Sequence, residues 1–166
     1  MKKKILVFFL FLLLCDFSFG QEIEVTKIFL IRHTETEVDG TRDPSLSEKG
    51  IKRAKKWATV LRSEKIDKVY STDLKRTQAL AHVIANSQNI ERIDYYKRDM
   101  DVKLFLKEIE GKTVVISGHS NTTPFFVNKF IGEEKYQQIE DADYSSLFMV
   151  TYFSNERVSD ILLKIN

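Results

Sequence analysis

Thr26-Lys27-Ile28-Phe29-Leu30-Ile31 runs straight into Arg32-His33-Thr34-Glu35-Thr36, and this junction decides the architecture. Residues 28–31 are continuously apolar and β-prone, the pattern of a strand covered on both faces. Strands of that kind belong to helix-covered parallel sheets. The pattern of a strand stopping on polar residues recurs twice downstream. Ile66 to Tyr70 stops at Ser71-Thr72-Asp73, and Thr113 to Ile116 breaks at Ser117-Gly118-His119-Ser120.

Helical signals fill the intervals. Ser47-Glu48-Lys49-Gly50 predicts a helix start with Ser47 as its cap. Ile51, Ala54, Trp57, Ala58 and Leu61 recur by threes and fours as its inward stripe. A second helix is expected through Leu74, Ala81 and Ile84, and a short one over Val102 to Ile109. Another begins near Thr122 or Thr123, where Pro124 suits a first turn. Ile90 to Tyr95 reads as a weaker strand, and Ser145 to Phe153 with Val158 to Ile165 as a final strand pair around Ser154-Asn155-Glu156. The sum is an α/β domain: a three-layer α/β/α sandwich, mostly parallel, with an antiparallel edge.

The 166 residues, 43% of them hydrophobic, make one domain with material for an ordinary core. Met1-Lys2-Lys3-Lys4, the apolar run Ile5 to Cys15 and the ending Ser18-Phe19-Gly20 read as a signal peptide over residues 1–20. The run is shorter than the roughly 20 residues a membrane-crossing helix needs. A retained N-terminal anchor and a lipidated Cys15 are the alternatives. Cleavage would leave a single catalytic domain, residues 21–166, exported to the periplasm or secreted, with membrane contact only before cleavage. Losing residues 1–20 takes Lys+Arg from 26 to 23 and Asp+Glu from 24 to 23, so that domain is formally neutral. Neutrality argues against a nucleic-acid partner. Cys15 is the only cysteine, so the domain has neither disulfides nor thiol chemistry.

Three strands expected to be central end in Arg32-His33, in Ser71-Thr72-Asp73 with Arg76 a turn later, and in Gly118-His119-Ser120. Open α/β sheets bind ligands at that carboxyl edge. Arginines beside histidines repel a metal cation and attract an oxyanion, and guanidinium groups match phosphate oxygens. Thr36, Asn121, Thr122 and helix-start amide groups add neutral donors. A neutral imidazole could attack phosphorus in line, with preorganised positive charge around the equatorial oxygens. His82 stands mid-helix without a partner and reads as structural or surface. A serine hydrolase is disfavoured, because Thr122 stands where the nucleophile elbow after Ser120 needs glycine. The scattered histidines make a poor metal set, and Asp141 and Asp143 read as surface residues.

Arg32-His33-Thr34-Glu35-Thr36 resembles the Arg-His-Gly-x-Thr signature of the histidine phosphatase superfamily, the phosphoglycerate-mutase-like family. Asp43-Pro44-Ser45-Leu46-Ser47-Glu48-Lys49-Gly50, Ser71 to Ala81, and Gly118-His119-Ser120-Asn121-Thr122 resemble further motifs in the same order. The resemblance implies a phosphoglycerate-mutase-like fold and a phosphatase that needs no metal or organic cofactor. His33 would be phosphorylated during turnover, Arg32, Arg76 and His119 would surround the phosphoryl group, and Thr36 would bond to it. The substrate would be a phosphomonoester or phosphoramidate, carried by a small molecule or a phosphoprotein. The short stretch after Arg76 is similar to the phosphohistidine-phosphatase-like branch. Thr34 replaces the usual glycine, and the usual proton-donating glutamate has no clear counterpart. Asp99 and Asp101 are the nearest candidates by region, with Glu35 and Glu37 as alternatives. The missing acid motivates a second reading: an extracytoplasmic module that binds a phosphorylated ligand without turning it over.

Overall fold

The computed structural model describes residues 23–155 and 157–165. The leader expected over residues 1–20, Cys15 included, lies outside them, as does Glu156 of the expected final turn. One sheet runs in the order β3-β2-β4-β1-β5-β6. Its strands are β1 (Val25–Arg32), β2 (Lys68–Ser71), β3 (Ile93–Tyr95), β4 (Thr113–Gly118), β5 (Ser146–Phe153) and β6 (Val158–Lys164). The pairings of β1, β2, β3 and β4 are parallel, whereas β5 runs antiparallel to β1 and β6 antiparallel to β5. Helices α1 (Glu48–Val60) and α2 (Lys75–Ser87) pack on one face, and α3 (Val102–Glu108) and α4 (Thr122–Ile131) on the other. The expected three-layer sandwich with an antiparallel margin is the fold observed.

Strand β1 is apolar throughout because it feeds both cores. Phe29 and Ile31 join Trp57, Leu80 and Ile84 under α1 and α2, while Ile28 and Leu30 join Phe126, Val127 and Phe130 under α4. Alternate residues of a strand point to opposite faces, so each face receives half of the run. Burying each such side chain contributes about 1.5–3 kcal/mol.

Two local expectations are corrected. Strand β3 starts at Ile93 rather than Ile90, since β3 is an edge strand paired only to β2 and Glu91 and Arg92 stay exposed. Ile51 is 43% exposed, whereas Ala54, Trp57, Ala58 and Leu61 are buried as expected. Gly50 takes the inward place at that end of α1, because the backbone of Glu35 comes too close for any side chain.

Register sets the site. Arg32 pairs with Gly118 across the β1–β4 ladder, and Ser71 pairs with Ser117 across β2–β4. His33 extends the first ladder by one bond, its N–H donating to the Gly118 carbonyl at 2.8 Å. All three polar strand ends therefore stop at one level.

Candidate active site

The imidazole rings of His33 and His119 lie with centroids 5.6 Å apart, inclined at 65°. His33 Nδ1 is 2.8 Å from the carbonyl oxygen of Thr34. A carbonyl only accepts, so Nδ1 carries the proton and Nε2 the lone pair. Thr34 needs no glycine-like conformation, since Asn89 is the one non-glycine residue with positive φ among those described. Its hydroxyl donates instead to the Gly50 carbonyl at 2.8 Å, fastening the loop after His33 to α1. Burial lowers the pKa of His33, and Arg32, His119 and Arg76 lower it further; it falls to about 4 despite the opposing bond to Thr34. His119 is likewise pushed down to about 4, by burial first and then by Arg76 and Arg32. Both rings are therefore neutral near pH 7.

Arg32 is held rather than free. Its Nη1 donates to the carbonyls of Glu140 at 2.9 Å and of Asp141 and Asp143 at 3.0 Å. Its guanidinium carbon stands 4.3 Å from the centre of the Tyr144 ring, a cation–π geometry. The Nε of Arg32 is buried without a partner among the described residues. A cationic donor left unpaired in that way is costly unless an anion completes it. Arg76 approaches Asp43 Oδ1 at 3.3 Å, and Asp43 also accepts from the Lys75 N–H that opens α2.

Of the neutral donors expected, Thr122 is buried, and its Oγ1 accepts the His119 N–H at 3.0 Å. Asn121 is exposed at the head of α4, and its side chain makes no capping bond. Thr36 is half-buried and bridges to Leu46. His82 is exposed on α2, away from the pair.

Of the four candidate acids, Glu35 and Asp101 are engaged by other partners. Arg53 Nε reaches the Glu35 carboxylate oxygens at 3.0 and 2.9 Å, and Lys49 Nζ lies 3.4 Å from it. Burial would raise the Glu35 pKa, but the Arg53 bonds outweigh it and hold the carboxyl below its ordinary value. Asp101 caps α3 by accepting from the N–H groups of Lys103 and Leu104. Asp99 borders a cavity of about 430 Å³ beside Tyr95, Tyr96, Met100 and Leu104. Glu37 is exposed, and its N–H donates to the Ser45 carbonyl. Among the described residues, none of these carboxylates bonds to either imidazole.

The profile of the histidine phosphatase superfamily (branch 1) matches residues 28–99, from β1 through α2 to the segment before α3. Over those residues the chain is similar to the histidine phosphatase superfamily. The chain is 43% identical over 75 residues to phosphoserine phosphatase 1 of Hydrogenobacter thermophilus. That match takes in 42% of the chain and 36% of the relative, so it spans about a third of the relative's length. The fold is similar to that of the protein histidine phosphatase SixA complexed with tungstate, with a TM-score of 0.66 and 15% identity over 83% of this chain and 96% of that one. It is also similar to a phosphoglycerate mutase from Bacillus anthracis, with a TM-score of 0.65 and 13% identity over 87% and 95% of the two chains. At such identities the likeness is one of fold.

Three features of the site were not read from the sequence. The carbonyls of Glu140, Asp141 and Asp143 hold Arg32, Tyr144 lies over Arg32 with its ring 6.2 Å from that of His33, and Thr72 Oγ1 is 2.9 Å from His119 Nε2. The sequence held one signal for these carbonyls, an arginine expected at the end of a buried strand, which demands acceptors from somewhere. Asp143, read as surface, is half-buried; it accepts from Ser145, Ser146 and Lys164 and so shapes the loop that carries Tyr144.

Proposed function

We propose that the chain is a metal-independent phosphatase that works through a phosphohistidine on His33. The observation that carries this reading is the His33 imidazole, with Nδ1–H committed to Thr34, its Nε2 without a hydrogen-bond partner among the described residues, and the positive charges of Arg32 and Arg76 acting on it. Nε2 attacks phosphorus as the bond to the leaving group breaks, and water then attacks the phosphohistidine and releases phosphate. Arg32, Arg76 and His119 stabilise the charge on the phosphoryl oxygens, with Thr36, Asn121 and Thr122 as neutral donors nearby. The cationic donor set is itself hostile to a metal ion.

Engagement of Glu35 by Arg53 leaves the leaving group without an obvious proton donor, which favours phosphoramidates and acyl or aryl phosphates over alkyl monoesters. Asp99 is the remaining acid by region. Among the described residues, no helix is long and apolar enough to cross a membrane. On this reading residues 1–20 are removed on export, and residues 21–166 act as one domain outside the cytoplasm on a phosphorylated small molecule or phosphoprotein.

Quenching in alkaline detergent during turnover of a ³²P-labelled aryl phosphate is expected to trap a base-stable, acid-labile label on His33, at rates unaffected by chelator. A module that only binds phosphorylated ligands, the reading that the engagement of Glu35 by Arg53 motivates, would retain phosphate without labelling.

The pH profile provides a second test. A His33 pKa of about 4 means the nucleophile is already neutral throughout the mildly acidic range. After correction for the substrate's own phosphate ionisation near pH ~6, kcat/KM is expected to stay flat down to about pH 5 and to fall only below it. A corrected acid limb centred near 6.5 would mean that the cationic, buried setting does not act on His33.

A further inference from the structure

We infer that Thr77, acting through Thr72, is a positioning residue for His119: the two hydroxyls hold the proton of the neutral imidazole on Nε2. The effect on turnover rests on the phosphatase reading; the effect on the tautomer does not.

Thr77 is fully buried in the first turn of α2. Its Oγ1 lies 2.9 Å from the Leu74 carbonyl, 3.1 Å from the Thr72 carbonyl and 2.8 Å from Thr72 Oγ1. Thr72 Oγ1 lies in turn 2.9 Å from His119 Nε2. Each hydroxyl has one hydrogen to give, and carbonyl oxygens only accept. If Thr77 donated to Thr72, two carbonyl oxygens would face its hydroxyl oxygen at close range with no hydrogen between them. That arrangement sets three oxygens against one another and is repulsive, although both carbonyls have backbone donors of their own. Thr77 therefore donates to the carbonyls, as helical threonines commonly do, and accepts from Thr72. With its hydrogen spent, Thr72 can only accept, so the proton between Thr72 and His119 belongs to Nε2.

Nδ1 is then the remaining nitrogen of His119, with no hydrogen-bond partner among the described residues. In the neutral ring it carries a lone pair and cannot donate. It meets a phosphoryl oxygen either as an acceptor from P–OH or after taking up a proton. Burial and the Arg76 and Arg32 charges keep the ring neutral until an anion arrives, so proton uptake by His119 is tied to phosphate binding. Thr77 sets the direction of this chain of hydrogen bonds without touching the ring.

Nitrogen-15 correlation spectra of the full domain, with His119 assigned by comparison with His33→Asn and His82→Asn variants, decide the matter. Wild type at pH 7 is expected to show neutral His119 as the Nε2–H tautomer. Thr77→Val keeps the side-chain shape but removes the donor and acceptor, and Thr72→Val breaks the link to the ring; each is expected to move His119 towards a mixture with Nδ1–H. Thr77→Ser is expected to restore the wild-type spectrum. The kcat of Thr77→Val should fall on the order of tenfold with little change in KM, and that of Thr77→Ser should recover. An Nδ1–H tautomer in wild type, or a tautomer indifferent to both valine variants, overturns the inference. A tautomer that responds as expected in a protein that never labels on His33 leaves this inference standing and removes the phosphatase reading instead.

Discussion

Replacing His33 by alanine is expected to lower kcat on the order of 10⁴-fold or more and to abolish the base-stable, acid-labile labelling, while the domain keeps its fold. The size follows from the role: without a nucleophile the two-step route closes, and only bound phosphate and oriented water remain. The fold survives because among the described residues the imidazole makes one hydrogen bond, to the carbonyl of the next residue, and the His33 backbone stays in the ladder through Gly118. Truncation costs about 1–3 kcal/mol at neutral pH, within what a domain of this size tolerates. An acid-stability measurement separates this variant from a misfolded one. A histidine whose folded pKa is lowered from 6.5 to about 4 supports the native state fully above pH 6.5 and withdraws that support as pH falls towards 4. His119 behaves the same way. Wild type should therefore lose Tm between pH 6.5 and 4, and His33→Ala should lose less of it over the same window. Near-wild-type turnover with a native circular dichroism spectrum would remove His33 from the nucleophile's role.

Gly50→Ala is expected to destabilise the protein by about 2–4 kcal/mol and to reduce turnover with it. Glycine to alanine inside an exposed helix ordinarily stabilises by about 0.5–1 kcal/mol. Here the sign reverses because of what faces the position. A Cβ on Gly50 would stand 2.0 Å from the Glu35 carbonyl oxygen and 2.9 Å from its carbon. That backbone cannot yield cheaply: Ser47 N–H donates to the same oxygen at 2.9 Å, and the Glu35 side chain is clamped by Arg53. Relief requires parting α1 from the loop after His33. The Gly50 carbonyl that receives the Thr34 hydroxyl would shift, and Thr34 supplies the carbonyl that orients His33. A Tm drop of roughly 5–15 °C is expected by thermal unfolding. A variant within about 1 °C of wild type, with undiminished kcat, would show that α1 and this loop are not packed as described.

Both effects depend on contacts that differ in how far local pattern encodes them. Residues 28–31 and 114–116 are apolar on both faces, the pattern of a doubly covered central strand, and β1 and β4 are those strands. Ser47 was legible as a cap because capping is local: its side chain accepts from the Gly50 N–H three residues on. The meeting of Arg32-His33 with Gly118-His119 was legible too, since parallel strands in one layer bring their carboxyl ends together. Family motifs carried the same message by resemblance.

Other contacts lay beyond that reading. Glu35 stood in the list of possible acids, but Arg53, eighteen residues away on α1, takes its carboxylate. Ile51 matched the helical stripe, yet the close approach at Gly50 leaves it in solvent. Arg32 is satisfied by the carbonyls of Glu140, Asp141 and Asp143, more than a hundred residues downstream, and by the ring of Tyr144. Hydrophobic periodicity determined the layers and the edge at which chemistry collects, because burial repeats with the pitch of each element. Which polar atom meets which was decided only by the tertiary structure: hydrogen bonds act over about 3 Å, and the courses of the loops that supply the partners leave no periodic trace in the chain.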